Sequence, residues 1–343
     1  MAKPVSGEER RPGRSLATAV EERLLVPTYG SRWRAASVAA HRSLALPLQL
    51  VGPARRRTAS FQGEQLRVLE VGREKLTSEL SAGFLGELPD PVSDAVRGLW
   101  NPSALAVADA DLVLVEVHRW MAARFRRAGW LLVPDAVRWE GELSQVPPIR
   151  PSRSLLEDLK KIQRYGYTVE HTTALADWDE FDSTMLRPLA KARHGNKAWI
   201  VSRGLLLQLA RNGMLHFVCL NGQRVAGACS VPRGDTIWVP LSGIKDGDPT
   251  LLRKGAGVAA LAATLDWAKT LGYRRVDAGR TSPFLHDGVQ QFKRKWGLLP
   301  VPDPLAHVVA VWAGSELGRA VLARSPVLIE TVDGLATHPG GVV

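Results

Sequence analysis

MLHFVCLNGQRVAGACSVPRGDTIWVPLSG, residues 214–243, decides the fold class. Its three apolar runs, 214–220, 224–231 and 236–243, are broken only by Asn221-Gly222 and by Arg233-Gly234-Asp235. Asn-Gly supplies the positive-φ pair of a two-residue hairpin and Arg-Gly-Asp makes the next turn, so the stretch predicts a three-strand antiparallel meander. Beyond it the period changes. A glycine-bearing loop, LLRKGAG at 251–257, feeds a helix over 258–271, and RRVDAG at 274–279 reads as a strand. DGVQQFKRKWG at 287–297 reads as a helix, and LAHVVAVWA at 305–313 as a strand that closes the domain. A meander joined to a strand–helix–strand unit makes a mixed sheet with helices on both faces, an α/β fold.

Working upstream, SLLEDLKKIQRYG at 154–166 is a basic helix capped by Ser152 or Ser154 and closed by Gly166, followed by the strand YTVEH. Helices over 177–192 and 203–212 lead into the meander. Before the Pro-rich boundary VPPIRP at 146–151, QLRVLEV (65–71) and WLLVP (130–134) read as strands, and DLVLVEVHRWMAARFRRAGW (111–130) passes from strand to helix. Arg55-Arg56-Arg57 follows the apolar LALPLQLVG without a clean period. The chain therefore divides into a disordered basic tail at 1–20, a first unit at 21–150, a second at 151–325 and a C-terminal tail at 326–343.

Composition agrees with two folded units. The chain has 343 residues, 45 Lys plus Arg against 34 Asp plus Glu, 45% hydrophobic content and two cysteines. These values exclude collagen-like, fully disordered and membrane-spanning chains, and two cysteines build neither a disulfide framework nor a four-cysteine zinc site. The N-terminus has charges and prolines where a secretory signal needs an apolar run, so the expectation is a cytoplasmic protein with no integral membrane association. Charge is segregated: residues 1–60 carry 11 basic and 4 acidic groups, 61–150 carry 10 and 13, 151–300 carry 22 and 13, and 301–343 carry 2 and 4. Two basic segments suit a polyanionic ligand, whether cofactor phosphates, RNA or an anionic glycolipid, although a solvated basic face has the same composition.

From about 152 to 300 the chain resembles the Fem-like branch of the GNAT acyltransferase superfamily, and within it the BioF2-like acetyltransferase domains. The residues that carry this are SLLEDLKKIQRYGYTVE, MLRPLAKARHG, the meander with GACSV, LDWAKTLGYRRVDAG and above all QFKRKWG at 291–297. Residues 61–150 look like a degenerate first GNAT-like half, so the resemblance implies two tandem halves. It further implies transfer of an acyl group from acyl-CoA, or of an aminoacyl group from aminoacyl-tRNA, to an amine or hydroxyl acceptor such as an amino sugar or a cell-envelope glycan precursor. The helical arm inserted in some Fem enzymes has no counterpart here.

The chemistry can be placed on named residues. Arg253, Lys254, Gly255, Ala256 and Gly257 open a helix, whose free N–H groups and dipole form an anion cradle that glycine lets a phosphate approach. In acyl-CoA-binding GNAT proteins the loop reads Gln/Arg-x-x-Gly-x-Gly/Ala; here Leu252 stands first, with the arginine displaced by one. Phe292 and Lys293 match the Phe-Lys pair of the Fem-like motif, in which the lysine serves the reacting acyl group. A positioned ammonium stabilises the oxyanion of acyl transfer. Asp277 ends a strand and can take a proton or bind an ammonium, with Arg280 just beyond it as a substrate contact or as its structural partner. His194, after a helix, is a candidate base or a surface histidine. No His-x-x-x-His spacing or serine-nucleophile elbow is present, so no metal and no covalent route are expected. A different class of answer is a non-catalytic protein that keeps the fold and its basic cleft to bind an anionic ligand.

Overall fold

The structure, a computed structural model, describes residues 54–86, 88–94, 101–195, 198, 200–339 and 341–342. The expected tail at 1–20 lies outside the described residues. The first part runs β1 (Ala54–Phe61), β2 (Glu64–Val71), α1 (Glu74–Leu85), β3 (Val92–Asp94), α2 (Pro102–Ala106), β4 (Leu112–Val117), α3 (Arg119–Arg127), β5 (Leu131–Pro134) and β6 (Val137–Glu142). Next come α4 (Arg153–Tyr165), β7 (Thr168–Thr172), α5 (Leu175–Glu180), a π-helical turn (Phe181–Leu186), α6 (Arg187–His194) and α7 (Arg203–Asn212). The meander follows as β8 (Met214–Leu220), β9 (Gln223–Arg233) and β10 (Thr236–Ile244), then α8 (Pro249–Arg253), α9 (Ala256–Thr270), β11 (Arg275–Thr281) and α10 (Gly288–Lys295). The chain finishes with β12 (Leu299–Pro302), β13 (Val308–Ala313), α11 (Glu316–Arg324), β14 (Val327–Glu330), β15 (Leu335–His338) and β16 (Gly341–Val342).

The fold is α/β, with two mixed sheets flanked by helices in two halves. One sheet has the order β3-β1-β2-β4-β13-β5 and the other β12-β6-β11-β10-β9-β8-β7. Each contains one parallel pair, β2 with β4 and β10 with β11. Strand β4, LVLVEV, is buried along its whole length. Its period-2 alternation sends Val113 and Val115 to one core and Leu112 and Leu114 to another. The second sheet is likewise covered twice, by α4 and α9 on one face and by α5 and α7 on the other.

Local signals act as read. Ser152 Oγ accepts the Leu155 N–H at 3.3 Å to cap α4, and Gly166 ends that helix at φ 61°. Asn221 and Gly222 take φ 53° and 74° and turn β8 into β9.

Long-range partners differ from the sequence reading in four places. Strand β13 does not close the second unit; it inserts between β4 and β5 of the first sheet, antiparallel to both. Conversely β6, upstream of the Pro-rich boundary at 146–151, pairs with β11 and β12 of the second sheet. A strand pattern reports which faces are buried and says nothing about which edge it joins. The segment 326–343 is not a tail, because β14, β15 and β16 form a small antiparallel sheet with Val327 and Leu328 fully buried. Arg55-Arg56-Arg57 lies in β1, where Arg55 and Arg57 turn inward against the fully buried Glu70, so partnered charge replaces the apolar pattern.

Candidate active site

The meander and the strand after α9 build the site. Strands β10 and β11 pair in parallel over Thr236–Arg275, Ile237–Val276 and Trp238–Asp277, and there the pairing stops although both strands continue. Each strand is irregular at this level: β10 shifts register against β9 between Trp238 and Leu241, and β11 against β6 between Asp277 and Arg280. Pro240 offers no N–H to a neighbour, and Gly279 takes φ 75°. Beyond Trp238 and Asp277 the two strands no longer pair, yet they stay close: a Cβ on Gly279 would stand 3.3 Å from the Val239 carbonyl oxygen.

Lys293 reaches β11 just past the end of this pairing from α10. Its Nζ is buried and donates to the carbonyls of Gly279 at 3.0 Å and Arg280 at 3.1 Å. Burial drives the ammonium down from the ordinary 10.5 to about 7, against the opposing pull of Asp277 and Asp287. Asp277, also buried, is the last residue of β11 paired with β10. Its Oδ1 accepts the Gly279 N–H at 2.8 Å, while Arg138 and Arg233 bring Nη1 to 3.8 and 3.7 Å of Oδ2. Burial raises the Asp277 carboxyl, and Arg138, the Gly279 N–H and Arg233 work against that rise. Arg233 lies flat over Trp238, 3.4 Å from the ring centre.

The structure thus brings Lys293 and Asp277 together around Gly279. It also adds Arg138, Arg233 and Trp238, which sequence reasoning missed. Arg138 stands upstream of the Pro-rich boundary and reaches the site only because β6 joins the second sheet, and Arg233 reads in the sequence as a turn residue. Arg280, expected to touch substrate or pair with Asp277, instead sets Nε 2.6 Å from the fully buried Asp303 carboxylate, with Nη2 3.7 Å from Asp135. Phe292 is half-buried, edge-on to Trp296 at 6.3 Å. His194 closes α6, and its side chain lies outside the described residues.

The loop at 253–257 starts α9 behind β10. Part of it is the short helix α8, whose last turn uses the N–H groups of Lys254 and Gly255. Gly255 takes φ 87° to redirect the chain, which only glycine does without strain. The first-turn N–H groups of Ala256, Gly257 and Val258 form the open end of α9. A Cβ on Gly257 would meet Ile244 Cδ1 at 3.6 Å, ordinary contact, so Gly257 is not demanded by packing. Arg253 is exposed, Lys254 Nζ lies 5.7 Å from the Tyr165 ring, and Lys161 pairs with Asp158 at 3.0 Å. This concentration of cations beside an open helix start suits the phosphates of a nucleotide-bearing acyl donor.

Among the described residues no group of three or more His, Cys, Asp and Glu is placed to hold a metal ion, and no helix is long and apolar enough to cross a membrane. No family model and no curated protein matches the chain. Solved structures similar to it include FemX, at 14% identity over 77% of this chain and 90% of that one, with a TM-score of 0.40. The C-terminal domain of a putative lysylphosphatidylglycerol synthetase from Agrobacterium fabrum is 13% identical over 89% of this chain and 95% of that one, with a TM-score of 0.40. A tandem GNAT protein from the clavulanic acid biosynthesis pathway is 12% identical over 88% and 96%, with a TM-score of 0.33.

Proposed function

We propose that the chain is an acyltransferase that moves an acyl group from an acyl-CoA thioester to an amine or hydroxyl acceptor by direct attack. The observation that carries this reading is Lys293: an amine buried beside the level where the parallel pairing of β10 and β11 ends, fixed by two carbonyls and brought to about 7 by burial. The N-terminus of α9, with Arg253, Lys254 and Lys161, would hold the donor's phosphates, and the thioester supplies the activated acyl carbon.

Neutral Lys293 spends its two N–H groups on Gly279 and Arg280 and keeps a lone pair for the acceptor's proton. Once protonated, it places a positive charge beside the oxygen that gains charge as the new bond forms. With an amine acceptor a C–N bond forms, the C–S bond breaks, and the proton leaves through Nζ to the departing thiolate. Asp277, held by Arg138 and Arg233, fixes the Gly279 bulge and keeps an opposite charge near the ammonium.

The test is thiol release by the full chain from a series of acyl-CoA thioesters over a panel of amines, amino sugars and hydroxyl acceptors, with aminoacyl-tRNA as the competing donor. Turnover with a thioester, lost in Lys293→Met, supports the reading. Turnover with aminoacyl-tRNA alone, or none with any donor alongside salt-sensitive binding of an anionic ligand, overturns it.

A further inference from the structure

We infer that the first half sets the position of Lys293 through a lock between Gly83 of α1 and Phe284 of the loop joining β11 to α10, making both of them positioning residues. The catalytic part of this inference rests on the reading above, but the lock itself is geometric. Phe284 follows β11 of the second sheet, yet its ring is buried among Leu80, Val133 and Val309 of the first half. A Cβ on Gly83 would stand 2.0 Å from Cε2 and 2.3 Å from Cζ of that ring, so the ring occupies the space that any side chain at position 83 would need. Phe84 meets the same ring edge to face at 4.9 Å.

The loop is tied down on its other side as well. The Leu285 N–H donates to the Pro326 carbonyl and the Leu328 N–H to the Pro283 carbonyl, each at 2.9 Å, while Ser325 Oγ donates to the Phe84 carbonyl at 3.1 Å. From this anchor the path to Lys293 is short. The Asp287 N–H donates to the Phe284 carbonyl at 3.0 Å, and Asp287 Oδ1 accepts the N–H groups of Val289 and Gln290 to start α10. Buried Gln290 returns Nε2 to the Ser282 carbonyl at 3.1 Å, and Lys293 lies three residues on, along the same helical face. Ring, loop, cap and helix are therefore one connected body. Displacing the ring moves α10 relative to the Gly279 and Arg280 carbonyls that belong to β11.

The lock can be read without any acyl transfer. Competitive labelling of the full chain's lysines with acetic anhydride across a pH series gives the titration midpoint of Lys293, on which the charges of Asp277 on β11 and Asp287 at the N-cap of α10 both act. In folded Gly83→Ala the midpoint is expected to rise by about one unit or more as Lys293 becomes hydrated, while the other lysines stay put. Phe284→Leu should move it in the same direction by less, and the double variant should lie nearer the wild type than Gly83→Ala alone, because a shorter side chain makes room for the new methyl group. Phe125→Leu, in the core on the opposite face of the first sheet, is the control for general loosening. An unchanged midpoint in folded Gly83→Ala overturns the lock, as does an equal shift in Phe125→Leu at matched loss of melting temperature. Should Gly83→Ala not fold, Phe284→Leu decides by the same criterion. If no acyl transfer is found at all, the labelling result still stands or falls independently.

Discussion

The two halves contain the same strand–helix–strand unit, and they finish it differently. In the second half the pairing of β10 and β11 ends after Trp238 and Asp277, and α9 begins at a glycine loop beside Arg253, Lys254 and Lys161. In the first half β2 and β4 pair in parallel from Val68–Leu112 to Val71–Val115, and the chain's own Glu116 then meets the start of α1. Its Oε2 accepts the Arg73 N–H and its Oε1 the Arg73 Nε, both at 2.9 Å. A Cβ on Gly72 would stand 2.5 Å from Glu116 Cβ, so glycine at that position permits the close approach. A helix start favours an anion in both places. In the second half the first turn of the helix holds no acidic side chain, whereas in the first half the helix start meets a fully buried carboxylate of the chain's own, a structural use of the same geometry.

The largest effect that would break this comparison is loss of the site lysine. Lys293→Met is expected to lower turnover by about two to three orders of magnitude, the scale of removing one oxyanion donor. Lys295→Met, whose ammonium goes to Asp158 on α4, should change it by no more than about threefold. Similar losses from both would mean general electrostatics, and steady-state thiol release separates the two cases.

Removing the internal anion should damage the fold and spare donor binding. Glu116→Ala leaves Arg73 without its carboxylate and is expected to cost about 3 kcal/mol in urea unfolding, as breaking a buried pair does. Gly257→Val should do the reverse, weakening donor affinity by about tenfold with little loss of stability, since its new methyl groups enter ordinary contact beside Ile244 and crowd the helix start. Calorimetric titration with an acyl-CoA checks the pair. Unchanged affinity in folded Gly257→Val would move the phosphate site elsewhere.

Stability should also depend on pH, with opposite origins in the two halves. For Lys293 the folded value, about 7, lies below the 10.5 of an ordinary lysine, so between these limits the unfolded chain binds the extra proton. Stability from this group therefore grows as pH rises from about 7 towards 10.5 and is lost on the way back. Burial pushes the Glu116 carboxyl up, but the hydrogen bond and charge of Arg73 outweigh it and hold the group below the ordinary carboxylate range. Its contribution is present above the ordinary carboxylate value of 4.5 and disappears as pH falls through the lower folded value. Chemical melts of wild type, Lys293→Met and Glu116→Gln across the pH range should show the alkaline gain absent from the first variant and the acid loss absent from the second.

Much of the site is legible in the sequence because its signals are local. Lys293, Asp277 and the glycines at 255 and 257 each lie in or beside an element whose period is clear over several residues, although β11 runs on to Thr281 and Asp277 stands within the strand and not at its end as the sequence suggested. What is not legible depends on which strand lies beside which. Arg138 and Asp277 are far apart in the chain, and they meet because β6 crosses to the second sheet. Arg280 is held by Asp303, buried beyond the next helix, a partner that nothing in the local sequence announces. Arg55 and Arg57 spoil the apolar pattern of β1 for a physical reason invisible locally, a buried Glu70 that supplies the missing partner.

By itself the sequence determined the α/β class, the meander, the caps of α4 and the candidacy of Lys293 and Asp277, since periodicity, turn residues and capping act over a few positions. Only the tertiary structure decided that β6 and β13 trade sheets, that Glu116 fills the first helix start, and that Phe284 fills the space left by Gly83. Each of these is an interaction between segments whose local sequences are satisfied by more than one partner, and steric fit and the pairing of buried charge choose among them.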